Sequence, residues 1–211
     1  MRSKKEILEI MEIFNKENPN PRCELNYTNE YTLLVAVMLS AQSTDKGVNR
    51  ATKELFEIAD TPDKMIMLGE ENLKKYIRTI GLFNNKAKNI ILMSKQIVEK
   101  YKGELPNTRQ ELETLAGVGR KTANVVLNVW FKKPALAVDT HVMRISHRLG
   151  FSNSKTPLGV ELDLLKVLPD EYIINANHWL VLFGRYICKA QRPSCDKCMI
   201  HKYCKSKDKK I

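Results

Sequence analysis

The sequence predicts an all-α fold, and two observations carry that prediction. Apolar residues recur at spacings of three and four along most of the 211-residue chain, and the runs stop at glycine or proline. No segment alternates apolar and polar residues for long, and no Asn-Gly or Asp-Gly turn joins two β-rich runs. We therefore expect helices throughout and no sheet.

The periodic pattern predicts eleven helices. They cover residues 4–18, 30–41, 46–59, 62–68, 71–80, 85–102, 109–115, 120–131, 140–149, 157–167 and 171–187. Asp45 is placed to cap the third helix, because its carboxylate can accept a backbone N–H of the first turn. Gly103 and Gly150 follow the sixth and ninth helices, where a left-handed residue is favoured.

The composition indicates a globular protein with a polyanionic partner. The 24.3 kDa chain is 43% hydrophobic, which is enough for one core or two small ones. Its formal net charge is +11 and its pI is about 9.4. Most of this charge lies in two stretches, 115–148 with a net +5 and 185–211 with a net +7, while the remainder sums to −1. We expect these stretches to contact the partner.

Membrane insertion and export are not expected. The longest apolar stretches, Leu33–Ala41 and Trp179–Phe183, are far shorter than the roughly 20 residues that a bilayer core requires. The first twenty residues alternate charged and apolar side chains, which is typical of an amphipathic helix and not of a secretory signal. These patterns predict a cytoplasmic protein.

A glycine turn at Leu115–Asn124 joins two predicted helices. It is not a Walker loop, because Arg120 separates Gly119 from Lys121, and Thr122 stands where a dinucleotide fingerprint needs its third glycine. The simplest interpretation is a tight connector in which glycine supplies a positive φ.

The same turn could also bind phosphate. Backbone N–H groups at a helix N-terminus, unshielded by Cβ atoms, suit a phosphate oxygen. The candidate contacts are Gly117, Val118, Gly119, Arg120 and Thr122. Lys121 falls in the first turn of the following helix, and an amine in such a place can serve as a nucleophile.

Leu115–Asn124 closely resembles the helix-hairpin-helix of the endonuclease III family of DNA glycosylases. The resemblance implies that Lys121 attacks the sugar of a damaged nucleotide. It also implies a catalytic role for Asp139 in Val138–His141, although the sequence alone identifies Asp139 as an N-cap and the two roles are compatible. The family usually has proline where this chain has Ala116, a difference expected to loosen the turn.

Four cysteines close to the end of the sequence predict a metal site. Cys188, Cys195, Cys198 and Cys204 are spaced C-x6-C-x2-C-x5-C. Without an export signal, such crowding favours metal over disulfides, and four thiolates can hold zinc or an iron-sulfur cluster. Thiol chemistry alone favours zinc, but zinc sites usually contain two close pairs and this one has a single pair. The spacing matches the cluster loop of the endonuclease III family, which implies one 4Fe-4S cluster.

Further DNA contacts are predicted in the cysteine loop and at two turns. Lys189 and Arg192 lie between the first two cysteines, where they could offset the charge of the thiolates, contact a DNA phosphate, or do both. Gln42 and Leu82 lie in segments that resemble the family's duplex-opening turns. The resemblance implies that the glutamine fills the space left by a flipped base and that the leucine wedges into the opposite strand.

The resemblance runs from about Asn29 to Cys204 and implies two helical domains with a DNA-binding cleft between them. Residues 22–133 would form a six-helix domain that ends in the hairpin. Residues 1–21 with 134–211 would form the second domain, including the cluster loop at 188–204. The expected partner is damaged double-stranded DNA, bound by a monomer associated with the nucleoid.

The predicted activity is that of a bifunctional enzyme of base excision repair. It would remove oxidised pyrimidines from duplex DNA and nick the abasic site by β-elimination through a lysine Schiff base. A monofunctional mismatch glycosylase of the same superfamily is one alternative, although such enzymes usually lack this lysine. A non-enzymatic DNA-binding module with a structural metal is the alternative from a different class.

Overall fold

The computed structural model describes residues 2–207 and Lys209, and across these residues the chain is helical with no strand. The helices are α1 Lys4–Glu17, α2 Glu30–Ser40, α3 Asp45–Ile58, α4 Pro62–Leu68, α5 Glu70–Ile77, α6 Phe83–Tyr101, α7 Arg109–Leu112, α8 Arg120–Val129, α9 Thr140–Leu149, α10 Pro157–Val167 and α11 Asp170–Tyr186. Short 3-10 helices follow at Cys195–Lys197 and His201–Tyr203. The all-α prediction is therefore confirmed.

Two predicted helices extend three residues beyond the helices that form. The fifth ends at Ile77 and not at residue 80, because the Ile80 N–H bonds to the Ile77 carbonyl and tightens the chain into a turn. The seventh is a single turn, since the Thr114 hydroxyl donates to the Glu111 carbonyl where a helix would continue.

The prediction that Asp45 caps the third helix was wrong by one residue. The cap is Thr44, whose hydroxyl oxygen accepts the Gly47 N–H at 3.1 Å. Asp45 is instead the first residue of the helix, where a carboxylate interacts favourably with the helix dipole.

The chain forms two compact units, one of them continuous from Cys23 to Lys132. The centre of this unit is α2, which is apolar on all sides and buried from Tyr31 to Leu39, and α3, α6 and α8 pack against it. Its seven helices include the short α7, where six were expected.

The other unit combines Met1–Arg22 with Lys133–Ile211. The apolar face of α1 packs into a core formed with α9, α10 and α11, and Phe14 lies against the rings of Trp179 and Phe183. The expected domain limits fall within one residue of these unit boundaries. No helix in the described part of the chain is long and apolar enough to span a bilayer.

Candidate functional site

The two glycines of the hairpin have different backbone conformations. Gly117 has φ = +75°, and a Cβ there would lie 2.9 Å from both Asn89 Cβ and Met38 Cε. Gly119 is the N-cap of α8 with φ = −97°, and a Cβ there would meet no atom within 4 Å. The fold itself therefore requires glycine at 117. At Gly119 the open space leaves the helix N-terminus accessible to a ligand.

The predicted phosphate contacts cluster at the start of α8. This helix begins without a side-chain cap, so its N-terminus has no built-in hydrogen-bond acceptor from the cap residue. Lys121 is exposed in the first turn, and Arg120 and Thr122 are half-buried beside it. The side chain of Val118 is buried, and its N–H donates to the Leu115 carbonyl within the turn at 3.1 Å.

Ala116 contributes a hydrogen bond that proline could not. Its backbone N–H donates to Gln96 Oε1 on α6 at 2.7 Å. Because proline has no N–H, the residue expected to loosen the turn instead ties it to the neighbouring helix. The loss of proline's fixed φ is therefore accompanied by a hydrogen bond to α6 that proline could not make.

The turns that carry Gln42 and Leu82 lie close to each other. Both residues are exposed and both have a left-handed backbone, with φ = +57° and +59°. The Leu82 side chain is 61% exposed. Residues whose side chains cannot hydrogen-bond to the local backbone rarely adopt a left-handed backbone conformation. A Cβ on Gly81 would lie 3.6 Å from the Gln42 carbonyl oxygen, so the two turns approach each other closely, with room for about one methyl group between them.

Beneath these turns lies a buried lysine that sequence reasoning missed. Lys86 is 8% exposed, and its ammonium donates to the carbonyls of Leu39 at 2.9 Å and Ala41 at 2.5 Å. Burial lowers the pKa of this lysine below its ordinary value. No feature of the sequence separates Lys86 from the surface lysines of the amphipathic helix α6.

Asp139 is the N-cap of α9, as its sequence position indicates. Its Oδ1 accepts the Val142 N–H at 2.8 Å, and the side chain is half-buried. The cap fixes the orientation of the carboxylate immediately before the first helical residue, Thr140. Asp139 and the cysteine loop belong to the same unit, whereas Lys121 belongs to the other.

The four cysteines of the loop are free, half-buried thiols. Burial raises the pKa of Cys198, and the charges of Cys188, Cys204 and Cys195 raise it further. The other three sulfur atoms are therefore within electrostatic reach of Cys198, which fits a donor set for a thiolate-bound group. In residues 2–207 and 209, no three His, Cys, Asp or Glu side chains are close enough together to hold a single metal ion.

Two arginines of α9 hold the start of the loop. Arg144 donates to the carbonyls of Cys188 at 3.2 Å and Gly184 at 2.8 Å. Arg148 donates to the Lys189 carbonyl at 2.8 Å and lies 3.2 Å from the Cys188 sulfur. These arginines belong to the basic stretch expected to contact the partner, and in the structure they bind the loop. The sequence does indicate that they act together, because residues spaced i, i+4 lie on the same face of a helix.

Lys189 and Arg192 are exposed on the cysteine loop. Arg192 has φ = +50°, so the backbone makes a sharp left-handed turn at this residue. The end of the loop is held separately, because Arg2 donates to the Tyr203 carbonyl and Tyr203 Oη donates to Glu9 at 2.7 Å. The loop thus presents two cations to solvent while both of its ends are fixed.

Comparison with known proteins places the chain in a family. Residues 35–170 match the sequence model of the HhH-GPD superfamily of base excision DNA repair proteins. The chain is 56% identical over 195 residues to endonuclease III of Rickettsia conorii, covering 92% of this chain and 93% of that one. It is 49% identical to endonuclease III of Escherichia coli over 96% of both chains.

Solved structures agree with the sequence relatives. A trapped covalent intermediate of endonuclease III with DNA superposes with a TM-score of 0.91 at 47% identity, covering 97% of each chain. A thermostable thymine-DNA glycosylase superposes with a TM-score of 0.82 at 23% identity, covering 96% of this chain and 94% of that one, a likeness of fold alone.

Proposed function

Since this chain belongs to the endonuclease III family within the HhH-GPD superfamily of base excision DNA repair proteins, we propose that it is a bifunctional DNA glycosylase and abasic-site lyase. It removes oxidised pyrimidines from duplex DNA and then cuts the strand at the abasic site. The observation that carries the lyase activity is an exposed lysine, Lys121, in the first turn of a helix that follows a glycine hairpin.

The chemistry begins at the Lys121 amine. Its nitrogen attacks C1′ of the damaged nucleotide, the glycosidic bond breaks, and the base leaves and takes up a proton. The sugar ring opens to a Schiff base between C1′ and the lysine nitrogen. Loss of a C2′ proton then breaks the bond from C3′ to its phosphate oxygen and nicks the strand. Hydrolysis of the imine releases the lysine for another cycle.

Asp139 supports this step by electrostatics. We assign its carboxylate to stabilising the positive charge that develops on the deoxyribose as the base leaves. Its cap bond to the Val142 N–H holds the side chain in one rotamer, so little reorganisation is needed during the reaction. A carboxylate also helps the attacking amine to lose its proton.

DNA binding uses three groups of contacts in this proposal. The α8 N-terminus with Gly117, Gly119, Arg120 and Thr122 binds the backbone phosphates, and Lys189 with Arg192 binds a second phosphate region. These contacts position the duplex without reading its sequence. Gln42 and Leu82 enter the stack when the damaged base is extruded.

The cysteine loop is the proposed site of one 4Fe-4S cluster, held by Cys188, Cys195, Cys198 and Cys204. The gathered thiols and the arginines at Cys188 support this assignment. The cluster would cross-link a segment that has few apolar residues of its own, and so stabilise the loop that presents Lys189 and Arg192. Iron and sulfide analysis with a broad visible absorbance is expected; stoichiometric zinc in protein purified without oxygen would contradict the cluster.

A borohydride trapping experiment tests the proposed reaction. Wild-type protein should form a covalent adduct with DNA that contains an oxidised pyrimidine or an abasic site, because borohydride reduces the Schiff base. Lys121→Gln should form no adduct and leave the strand intact while still binding the duplex. Lys95→Gln, which removes an exposed lysine of α6 in the same unit, is the matched control.

The result also separates the alternatives. A Lys121→Gln variant that still nicks abasic DNA would refute the lyase assignment. Base release without nicking by the wild-type protein would identify a monofunctional glycosylase. Duplex binding with neither base release nor cleavage on any damaged substrate would identify a binding module.

A further inference from the structure

Lys86 connects the two turns that carry Gln42 and Leu82. Its ammonium binds the carbonyls of Leu39 and Ala41 at the end of α2, directly before Gln42. Its backbone N–H donates to the Leu82 carbonyl at 3.1 Å in the first turn of α6. One residue is therefore bonded to both turns, which approach each other closely at Gly81.

Burying the Lys86 ammonium costs free energy. A buried ammonium loses its hydration, and among the described residues no carboxylate pairs with Lys86. Its partners are carbonyls that α2 leaves unpaired where the helix ends. The carbonyls of Val37 and Ser40 accept local hydrogen bonds, from the Ser40 hydroxyl and the Ser43 N–H. The carbonyls of Leu39 and Ala41 instead accept hydrogen bonds from Lys86 of α6.

The backbone on both sides needs such a restraint. Gln42 and Leu82 have left-handed φ angles, a conformation that costs about 1–2 kcal/mol for a residue other than glycine. Leu82, the N-cap of α6, has no side-chain capping bond to hold it. Strained conformations persist where the surrounding structure fixes them.

We infer that Lys86 is a positioning residue that joins the Gln42 and Leu82 turns into one rigid wedge, so that both side chains enter the duplex together. The inference rests on the proposed function, because a wedge matters only if a base is extruded. Its consequence is energetic coupling: when one side chain of a rigid wedge is removed, the other loses part of its effect.

A double-mutant cycle measures this coupling. Gln42→Ala, Leu82→Ala and the double variant are compared in single-turnover base release from a duplex with one thymine glycol. In the wild-type background, the fold reduction in rate for the double variant should be at least about tenfold smaller than the product of the fold reductions for the two single variants. In a Lys86→Met background the two effects should multiply, since the turns then act independently.

Two readouts separate positioning from general damage. Lys86→Met should slow base release from the duplex at least about tenfold and leave cleavage of a single-stranded abasic oligonucleotide near the wild-type rate, because a single strand needs no wedge. Lys88→Met, which removes an exposed lysine of the same helix, should leave both rates unchanged.

Several results would overturn the inference. These are multiplicative effects in the wild-type background, coupling that survives in Lys86→Met, or equal slowing on duplex and single strand. If Lys86→Met does not fold, the cycle in the wild-type background still tests whether Gln42 and Leu82 are coupled. Inactivity of the wild-type protein on both substrates would instead contradict the proposed function.

Discussion

Gly117→Ala should destabilise the protein strongly, whereas Gly119→Ala, two residues later in the same hairpin, should not. At Gly117 the new Cβ would sit on a backbone with φ = +75° and 2.9 Å from Asn89 Cβ. Asn89 Cβ is fixed to the α6 backbone and cannot move aside as the flexible end of Met38 can. At Gly119 the Cβ would point into open space.

The magnitude follows from two contributions. The left-handed backbone costs about 1–2 kcal/mol for a residue with a Cβ, and overpacking a filled site costs about 1–3 kcal/mol. Gly117→Ala should therefore lose about 2–5 kcal/mol of unfolding free energy and, in a chain of this size, about 2–4 °C of Tm for each kcal/mol. At position 119, alanine is a poorer N-cap than glycine, which lowers the unfolding free energy. This loss is roughly offset because alanine reduces the conformational entropy of the unfolded chain.

Thermal and urea unfolding followed by circular dichroism measure these losses, and duplex titration measures the second role of the hairpin. Gly119→Ala should keep the wild-type Tm within about 2 °C and bind DNA more weakly, because its methyl group occupies the space in front of the α8 N-terminus. Equal destabilisation by both substitutions, or an unchanged Tm for Gly117→Ala, would refute the reasoning.

Three further predictions concern the cysteine loop and the core of the continuous unit. Replacing Lys189 and Arg192 by Gln should lower the slope of log K against log salt by about 1–2, with Lys121 chemistry unchanged at saturation; an unaltered slope would exclude phosphate contacts here. Arg148→Met should make the visible absorbance of the cluster decay faster in the presence of a chelator, because the Lys189 carbonyl loses its hydrogen bond to Arg148. The control Lys53→Met, which removes an exposed lysine of the other unit, should leave the decay rate unchanged. Burial raises the pKa of Tyr31 far above its ordinary value, despite a 2.6 Å bond to Ser94 that lowers it. The unfolded chain therefore loses this proton first as pH rises above about 10, and the urea midpoint should fall there more steeply than in Tyr31→Phe; identical profiles would contradict the burial argument.

The features readable from the sequence are those with a local or periodic signal. Apolar spacing located every α-helix in the described part of the chain, because each buries a stripe of its own surface. The helix ends were less accurate, since a hydroxyl such as that of Thr114 competes with the helical hydrogen bonds in ways that spacing does not reveal.

The contacts between distant segments could not be predicted in this way. The sequence treats Gly117 and Gly119 alike, and only the approach of Asn89 from α6 separates them. Lys86 has the spacing of a surface residue, and the bond between Ala116 and Gln96 joins residues twenty positions apart. Each of these depends on which carbonyl or side chain tertiary packing brings near.

The split arrangement of the second unit has a consequence for synthesis on the ribosome. The apolar face of α1, with Ile7, Ile10, Met11 and Phe14, is made first, but its core partners extend to Tyr203. At about 5–20 residues per second, this face stays uncovered for roughly 10–40 s while Cys23–Lys132 emerges and can fold as a continuous segment. The nascent chain therefore carries an exposed amphipathic segment that chaperones can bind before its own core exists.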